Sequence, residues 1–383
     1  MTPLKAQSRG TPVLLCPGPV MLSAGVKGAL SQCEIGHRDA TFSEVLARLR
    51  RNAALVLGAT EAHSVVFLTG PSTSGIESAM SSLFPAEATV VVPVNGTFGH
   101  RLLDILRVHG LRCAPVEFGF GQPFDLSRLE AILATQAGPG GLVLAMTHHE
   151  TSAGILNPVA EACALARRAG AVTFVDATSS AGAEELDVTR MGIDVCATAS
   201  GKCLHAAPGV AVVCFRRELL DSPHLPRPRS FALDLRRHHA QIESSRQTPF
   251  TPAVPLFLAL DRALEELLRG GGTTERRRQY QRRRAYLADG LRRLGLPLLP
   301  LPPASEACSI LTIGVPPSLG FDAFYRAVRE RGYLIYGAKA PLAPKYFQAA
   351  VMGELLEEDL AGFLGALGSL LPAGATPARA ASA

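Results

Sequence analysis

The chain reads as an α/β protein: a large domain with a mainly parallel sheet between helices, followed by a smaller α+β C-terminal domain. Three observations predict this. From about residue 60 to 215, short valine-rich runs alternate with longer helix-like segments. Those runs are apolar at nearly every position rather than every second one, the pattern of strands covered on both faces. Near residue 255 the composition changes to charged helical stretches with isolated apolar runs between them.

The strand series opens with "SVVFLTG" (64–70), followed by the helical "IESAMSSLF". "TVVVPVNG" (89–96) precedes "GHRLLDILRVHG", and "GLVLAMTHHE" (141–150) precedes "NPVAEACALARRAG". "AVTFVDA" (171–177), "DVCATAS" (194–200) and "GVAVVCF" (209–215) continue it. Strands separated by amphipathic helices form parallel sheets through crossover connections. Further on, "VPLFLALDRALEELLRGGG" and "RRRAYLADGLRRLG" read as helices, with the helical region near 255–290 as a bridge between domains. "ACSILTIGVP" and "GYLIYGAK" read as strands flanking the helix "DAFYRAVRERG". The resulting division is an N-terminal segment 1–20, a large domain 21–260, a small domain 261–372, and a tail 373–383 of small residues expected to be disordered.

A 383-residue chain that is 47% hydrophobic and 19% charged is globular rather than disordered. No apolar run reaches membrane-spanning length, and the N-terminal stretch has too short an apolar core for a secretory signal, so a cytoplasmic protein is expected. Eight cysteines without CxxC pairing or Cys/His ligand spacing indicate neither a disulfide framework nor a metal site. The net charge of +5 and "ERRRQYQRRR" (275–284) invite a nucleic-acid reading. Those arginines fall on a helical stretch as a solvated face, and no binding motif accompanies them, so no nucleic-acid partner is expected.

In parallel sheets, ligands bind beyond the carboxyl ends of the strands, and four features stand there. "TGPSTSGIESAM" sets Ser72, Thr73 and Ser74 at a helix start, where free N–H groups and hydroxyls suit a phosphate; an ordinary N-cap is the competing reading. "PVNGTFG" places Phe98 on a glycine-flanked loop, where it stacks on a flat ring or simply packs. "FVDATSS" ends an apolar run on Asp176, a carboxylate that needs a partner such as a protonated ring nitrogen, or that caps local backbone. "ASGKCLHAAPG" carries Lys202, one of only five lysines among thirty-eight basic residues in a chain whose default cation is arginine. A desolvated lysine can lose its proton and bond an aldehyde, which arginine cannot; a snorkelling or salt-bridged lysine is the alternative. Together the four supply the groups that pyridoxal 5'-phosphate requires.

With these residues in place, the chain resembles the class V branch of fold-type I pyridoxal-phosphate enzymes, and within it the 2-aminoethylphosphonate–pyruvate aminotransferase group. The resemblance runs through "LLCPGPV", "GHRDATFSEV", "VVVPVNGTFG", "HHETSAGILNP", "FVDATSSAGAEELDVTRMGID", "ASGKCLHAAPG" and "FTPAVP", in family order. It covers residues 13–260 well and continues more loosely to about 370. It implies that Lys202 bonds the cofactor aldehyde, that Asp176 pairs with the ring nitrogen, and that Phe98 stacks on the ring. It puts Ser72, Thr73 and Ser74 at the phosphate, although relatives usually read "GSGT" where this chain reads "GPST". It implies that Glu150, Thr151 and Ser152 line the 3'-oxygen side. Thr251 in "FTP" matches a threonine given to the phosphate by a neighbouring subunit, which implies a homodimer with interface sites.

The resemblance breaks near the C-terminus. Where the family carries an arginine that clamps a substrate carboxylate, "YFQAAVMGEL" puts Gln348, and a neutral amide cannot replace a bidentate guanidinium. Pro249 likewise stands where relatives carry an arginine. Arg38, Arg246 and Lys339 are cations that could compensate, with His149 as a further donor; surface or interface charge is the competing reading for each. Arg38, Lys339 and Gln348 are the substrate-side candidates. The expected function is an aminotransferase acting on a small primary amine, with a pyridoxal-phosphate lyase on an aminophosphonate-like substrate as the alternative raised by Gln348. A non-enzymatic protein on this scaffold rests only on the arginine run.

Overall fold

The computed structural model describes residues 11–32, 34–136 and 140–371. The expected disordered tail 373–383 lies outside the described residues.

A seven-stranded sheet runs His63–Thr69, Val210–Arg216, Val195–Ala199, Val172–Asp176, Leu142–Thr147, Thr89–Val94, Arg112–Glu117. Val210–Arg216 is antiparallel to both of its neighbours, and the remaining pairings are parallel. The doubly apolar runs are explained by covered faces. In Leu142–Thr147, Leu142, Leu144 and Met146 enter one core with helices Ala40–Leu57, Val159–Arg168 and Val254–Arg269. Val143 and Ala145 enter the opposite core, with helices Ser72–Leu83 and Thr97–Val108. Side chains alternate across a strand, so burial on both sides demands apolar residues at every position.

The edge strand Arg112–Glu117 is absent from the sequence-based series. Its sequence RCAPVE is charged at both ends and contains a proline, and only Val116 is buried. An edge position has one unpaired side and tolerates that composition.

A third core gathers Tyr280, Leu287, Phe324, Phe347 and Phe363 together with Val13, Leu15, Val20 and Met21. Its sheet orders Ile310–Gly314, Tyr346–Ala350 and Tyr336–Gly337. Tyr346–Ala350, unforeseen from its mixed sequence YFQAA, is the central strand of the three. The N-terminal Val13–Leu14 runs parallel to Tyr333–Leu334. The expected bridge near 255–290 is two helices, Val254–Arg269 and Gly272–Arg293. They part at glycines whose φ angles of +94° (Gly271) and +72° (Gly272) leave the right-handed helical region.

Candidate active site

Topology brings the carboxyl ends of the parallel strands to one edge, and the chemistry-bearing residues stand there. Asp176 is the last residue of its strand, paired with Thr147 on one side and Ala197 on the other. Lys202 follows the neighbouring strand Val195–Ala199 in a tight turn. Burial pushes the Lys202 ammonium below its ordinary value, and Arg101 adds to this, while Cys203, Asp176 and Cys16 act the other way. Its Nζ donates to the Pro17 carbonyl oxygen. The room for that contact comes from Gly18, where a Cβ would stand 3.0 Å from Lys202 Cγ and 3.3 Å from Nζ. Across the turn, His205 Nε2 accepts from the Gly353 N–H at 2.9 Å and meets the Tyr280 hydroxyl. Lys202 thus touches the N-terminal segment at Pro17, and the turn that carries it is tied to Gly353 and Tyr280 through His205.

Asp176 is 2% exposed, and both of its oxygens are engaged. Oδ1 accepts from the Thr178 N–H at 3.0 Å and from its hydroxyl at 2.5 Å. Oδ2 accepts from Arg101 Nη2 at 2.7 Å. The Arg101 guanidinium carbon lies 4.7 Å from the centroid of the Phe98 ring, and Lys339 Nζ lies 5.9 Å from the same centroid. Arg101 is a residue the sequence reading passed over. Its signal was present, because Phe98 and Arg101 sit three apart in one helix and therefore share a face.

Phe98 is held by Glu150. The Glu150 carboxylate, fully buried, reaches under helix Thr97–Val108 and accepts from the N–H groups of Phe98 (2.9 Å) and Gly99 (3.0 Å). Its other oxygen accepts from Ser152 N–H and hydroxyl. A helix start leaves such N–H groups unpaired and favours negative charge, so this carboxylate does what an N-cap side chain would otherwise do. Burial pushes the Glu150 carboxyl above its ordinary value, opposed by these hydrogen bonds. The Ser152 hydroxyl also accepts from Thr97 N–H at 3.0 Å, so it is committed to the protein frame. The side chain of its neighbour Thr151 makes no hydrogen bond within the described residues, which leaves its hydroxyl available.

Helix Ser72–Leu83 begins after Pro71, and no side chain caps its first turn. Ser74 Oγ turns back to the Pro71 carbonyl at 2.8 Å, a turn that requires Gly70, where a Cβ would come within 2.2 Å of that oxygen and φ is +149°. Gly70 N–H donates to the Gly209 carbonyl at 2.8 Å, tying this helix start to the chain leaving the Lys202 turn. Thr251 is exposed on the loop ahead of helix Val254–Arg269 and lines a cavity with Thr69 and Phe250. Arg38 does not point at Lys202. It donates to the carbonyls of Thr248 (2.6 Å) and Pro249 (3.3 Å) and so shapes the loop that presents Thr251.

Gln348 is buried on the central strand of the small sheet, and its amide donates to the Thr151 carbonyl and, at 3.3 Å, to Thr312 Oγ1. It fastens the C-terminal sheet to the 150–152 loop. His149 departs from the donor expected of it. Its Nδ1 lies 3.2 Å from the Ser179 carbonyl oxygen, which fixes the proton there, and its buried Nε2 has no partner. Burial pulls its pKa down to about 3, so the ring is a neutral acceptor rather than a cation for an anionic substrate.

These residues fit pyridoxal phosphate. Lys202 offers an amine pushed toward neutrality, Asp176 a fixed buried anion, Phe98 an aromatic face, and the Ser72 helix start an uncapped set of N–H groups. The orphaned His149 Nε2 and the Thr151 hydroxyl add unspent polar atoms at the same strand edge. Among the described residues no cluster of side chains could hold a metal ion, and no helix is long and apolar enough to cross a membrane.

Comparison with known proteins points the same way. The model of the class-V aminotransferase family matches residues 24–327. A 2-aminoethylphosphonate–pyruvate transaminase of Burkholderia mallei is 34% identical over 362 residues, spanning 94% of this chain and 96% of the relative. Among solved structures, an aspartate aminotransferase of subgroup IV from Thermus thermophilus superposes with a TM-score of 0.83 at 27% identity, covering 94% of this chain and 98% of that one. An alanine–glyoxylate aminotransferase from Nostoc superposes at 0.88 with 23% identity, covering 96% and 97%, and shares the fold.

Proposed function

Because the chain belongs to the class-V aminotransferase family and is a pyridoxal-phosphate-dependent enzyme, we propose that its amino donor is 2-aminoethylphosphonate or a similar small aminophosphonate. The observation that carries the reading is the half-buried Lys202, its ammonium pushed below its ordinary value, at the same strand edge as the buried carboxylate Asp176. The 34% identity to a transaminase of that donor supports the substrate class.

In this reading Lys202 holds the cofactor aldehyde, Ser72, Thr73, Ser74 and the first turn of their helix hold its phosphate, and Phe98 lies against its ring. Asp176 faces the ring nitrogen, and Thr151 and Ser152 line the 3'-oxygen side, with the Thr151 hydroxyl as the free donor. Bound there, the cofactor supplies an electron sink for the carbon that carries the amine. Lys202 moves the proton. Burial favours its neutral amine, which can accept a proton from that carbon, and the Pro17 carbonyl gives the resulting ammonium an acceptor. Thr178 already fixes the orientation of Asp176 through its N–H. Lys339 at the rim of Phe98 is the cation suited to the phosphonate.

Thr251 stands exposed on a loop shaped by Arg38, which suits donation to the phosphate of a second copy and supports a homodimer. Seven free cysteines among the described residues suit the reducing cytoplasm. The domain limit is taken at 260/261, within helix Val254–Arg269.

A second reading is favoured by Gln348. Its neutral amide is spent on Thr151 and Thr312, so no guanidinium stands there to clamp a keto-acid carboxylate. Elimination needs no keto-acid acceptor. Mixing the protein with 2-aminoethylphosphonate while following the visible absorption of the cofactor separates the two. Bleaching that a keto acid reverses supports amino transfer, whereas ammonia released without an acceptor sinks it in favour of elimination. Lys202→Ala should lack the visible absorption altogether.

A further inference from the structure

We propose that Arg101 competes with the cofactor's ring nitrogen for the Asp176 carboxylate, and so sets how tightly this protein holds pyridoxal phosphate and how readily that nitrogen keeps its proton. The inference rests on Asp176 being the partner of the ring nitrogen, as argued above.

Three of the roughly four acceptor positions of the Asp176 carboxylate are taken. Thr178 takes Oδ1 with two hydrogen bonds, and Arg101 Nη2 takes Oδ2 at 2.7 Å. A ring N–H must therefore share an oxygen with a guanidinium, in a site where Asp176 is 2% exposed and charges are poorly screened. The same guanidinium stands 4.7 Å from the centroid of Phe98, the ring assigned to stack on the cofactor. Arg101 therefore contests both the anion and the aromatic face. Its backbone cannot retreat, because Glu150 pins the start of helix Thr97–Val108 through the Phe98 and Gly99 N–H groups. Nor is the side chain fully satisfied where it lies, since its Nε is buried without a partner. If the guanidinium stays, two cations repel across one oxygen. If it is displaced, a part-buried charge-assisted pair is broken. Either way, Arg101 weakens cofactor retention and opposes protonation of the ring nitrogen.

The test compares wild-type holoenzyme with Arg101→Met, which keeps length without charge, and Arg101→Lys, which keeps charge. Cofactor retention is read from equilibrium dialysis, and the ring environment from the pH dependence of the visible absorption. Arg101→Met should retain pyridoxal phosphate about tenfold more tightly, with the spectral transition assigned to the ring nitrogen moved to higher pH, while Arg101→Lys stays near wild type. Equal or looser retention in Arg101→Met overturns the inference and makes Arg101 a structural orienter of Asp176. Should the Met variant fail to fold, Arg101→Gln is measured in the same way and judged by the same outcomes. A wild-type protein that takes up no cofactor would instead refute the reading of Lys202 and Asp176 itself.

Discussion

Gly96→Ala should be one of the most damaging single-methyl additions in the protein. The new Cβ would stand 2.4 Å from Glu150 Cδ and Cγ and 2.6 Å from Ser152 Oγ, about 1 Å inside ordinary contact. Gly96 has an extended backbone, so alanine there gains roughly 0.4–1 kcal/mol by restricting the unfolded chain. Against that, Glu150 must withdraw from the Phe98 and Gly99 N–H groups. A buried N–H left unpaired costs roughly 1–3 kcal/mol, so two cost ~2–6 kcal/mol and the loss dominates. Denaturant midpoints of wild type, Gly96→Ala, Glu150→Ala and the double variant measure it as a cycle. The alanine at 96 should be much cheaper in the Glu150→Ala background, giving a coupling above ~1 kcal/mol. Equal cost in both backgrounds would refute the idea that Gly96 exists to admit Glu150. Phe98 lies in the first turn of the helix that Glu150 caps, so the visible absorption of bound cofactor should also shift in Gly96→Ala.

Gly18→Ala should impair cofactor uptake, because its Cβ would press on Lys202 Cγ at 3.0 Å and φ is +97°; uptake equal to wild type would show that Lys202 does not depend on this space. Gln348→Arg should lower the KM for pyruvate by about tenfold if one charge-assisted pair to the carboxylate forms, and an unchanged KM would place the acceptor elsewhere. Stability should fall as pH drops below 6.5, because the unfolded chain protonates His148 and His149 near that value while burial holds them down to about 4 and about 3 in the folded protein. The unfolded state then binds more protons, so each histidine removes about 1.4 kcal/mol per pH unit through that window. Denaturant midpoints at neutral pH and near pH 5 should show the decline, flattened in a His148→Asn/His149→Asn variant; a flat wild-type profile contradicts it.

The site was legible in sequence where chemistry demands a particular residue at a strand end. Lys202 stood out against an arginine-rich background, and Asp176 closed an apolar run with a carboxylate that had to find a partner or cap local backbone. The parallel sheet was legible for a related reason, since burial on two faces writes itself as continuous valine and leucine. The edge strand Arg112–Glu117 and the central strand Tyr346–Ala350 were not, because one is mostly exposed and the other places Gln348 at a buried position whose partner, the Thr151 carbonyl, is distant in sequence.

Local sequence therefore determined the fold class, the element series and the residues with intrinsic reactivity, through periodicity and side-chain chemistry that act over a few positions. Tertiary structure decided what surrounds them: Arg101 on Asp176, Glu150 beneath Phe98, Pro17 against Lys202, and Gln348 turned to Thr151 rather than left free. Those pairings join residues 52 to 197 positions apart. They arise because buried polar groups must find partners wherever the packed elements bring them, which no local pattern specifies.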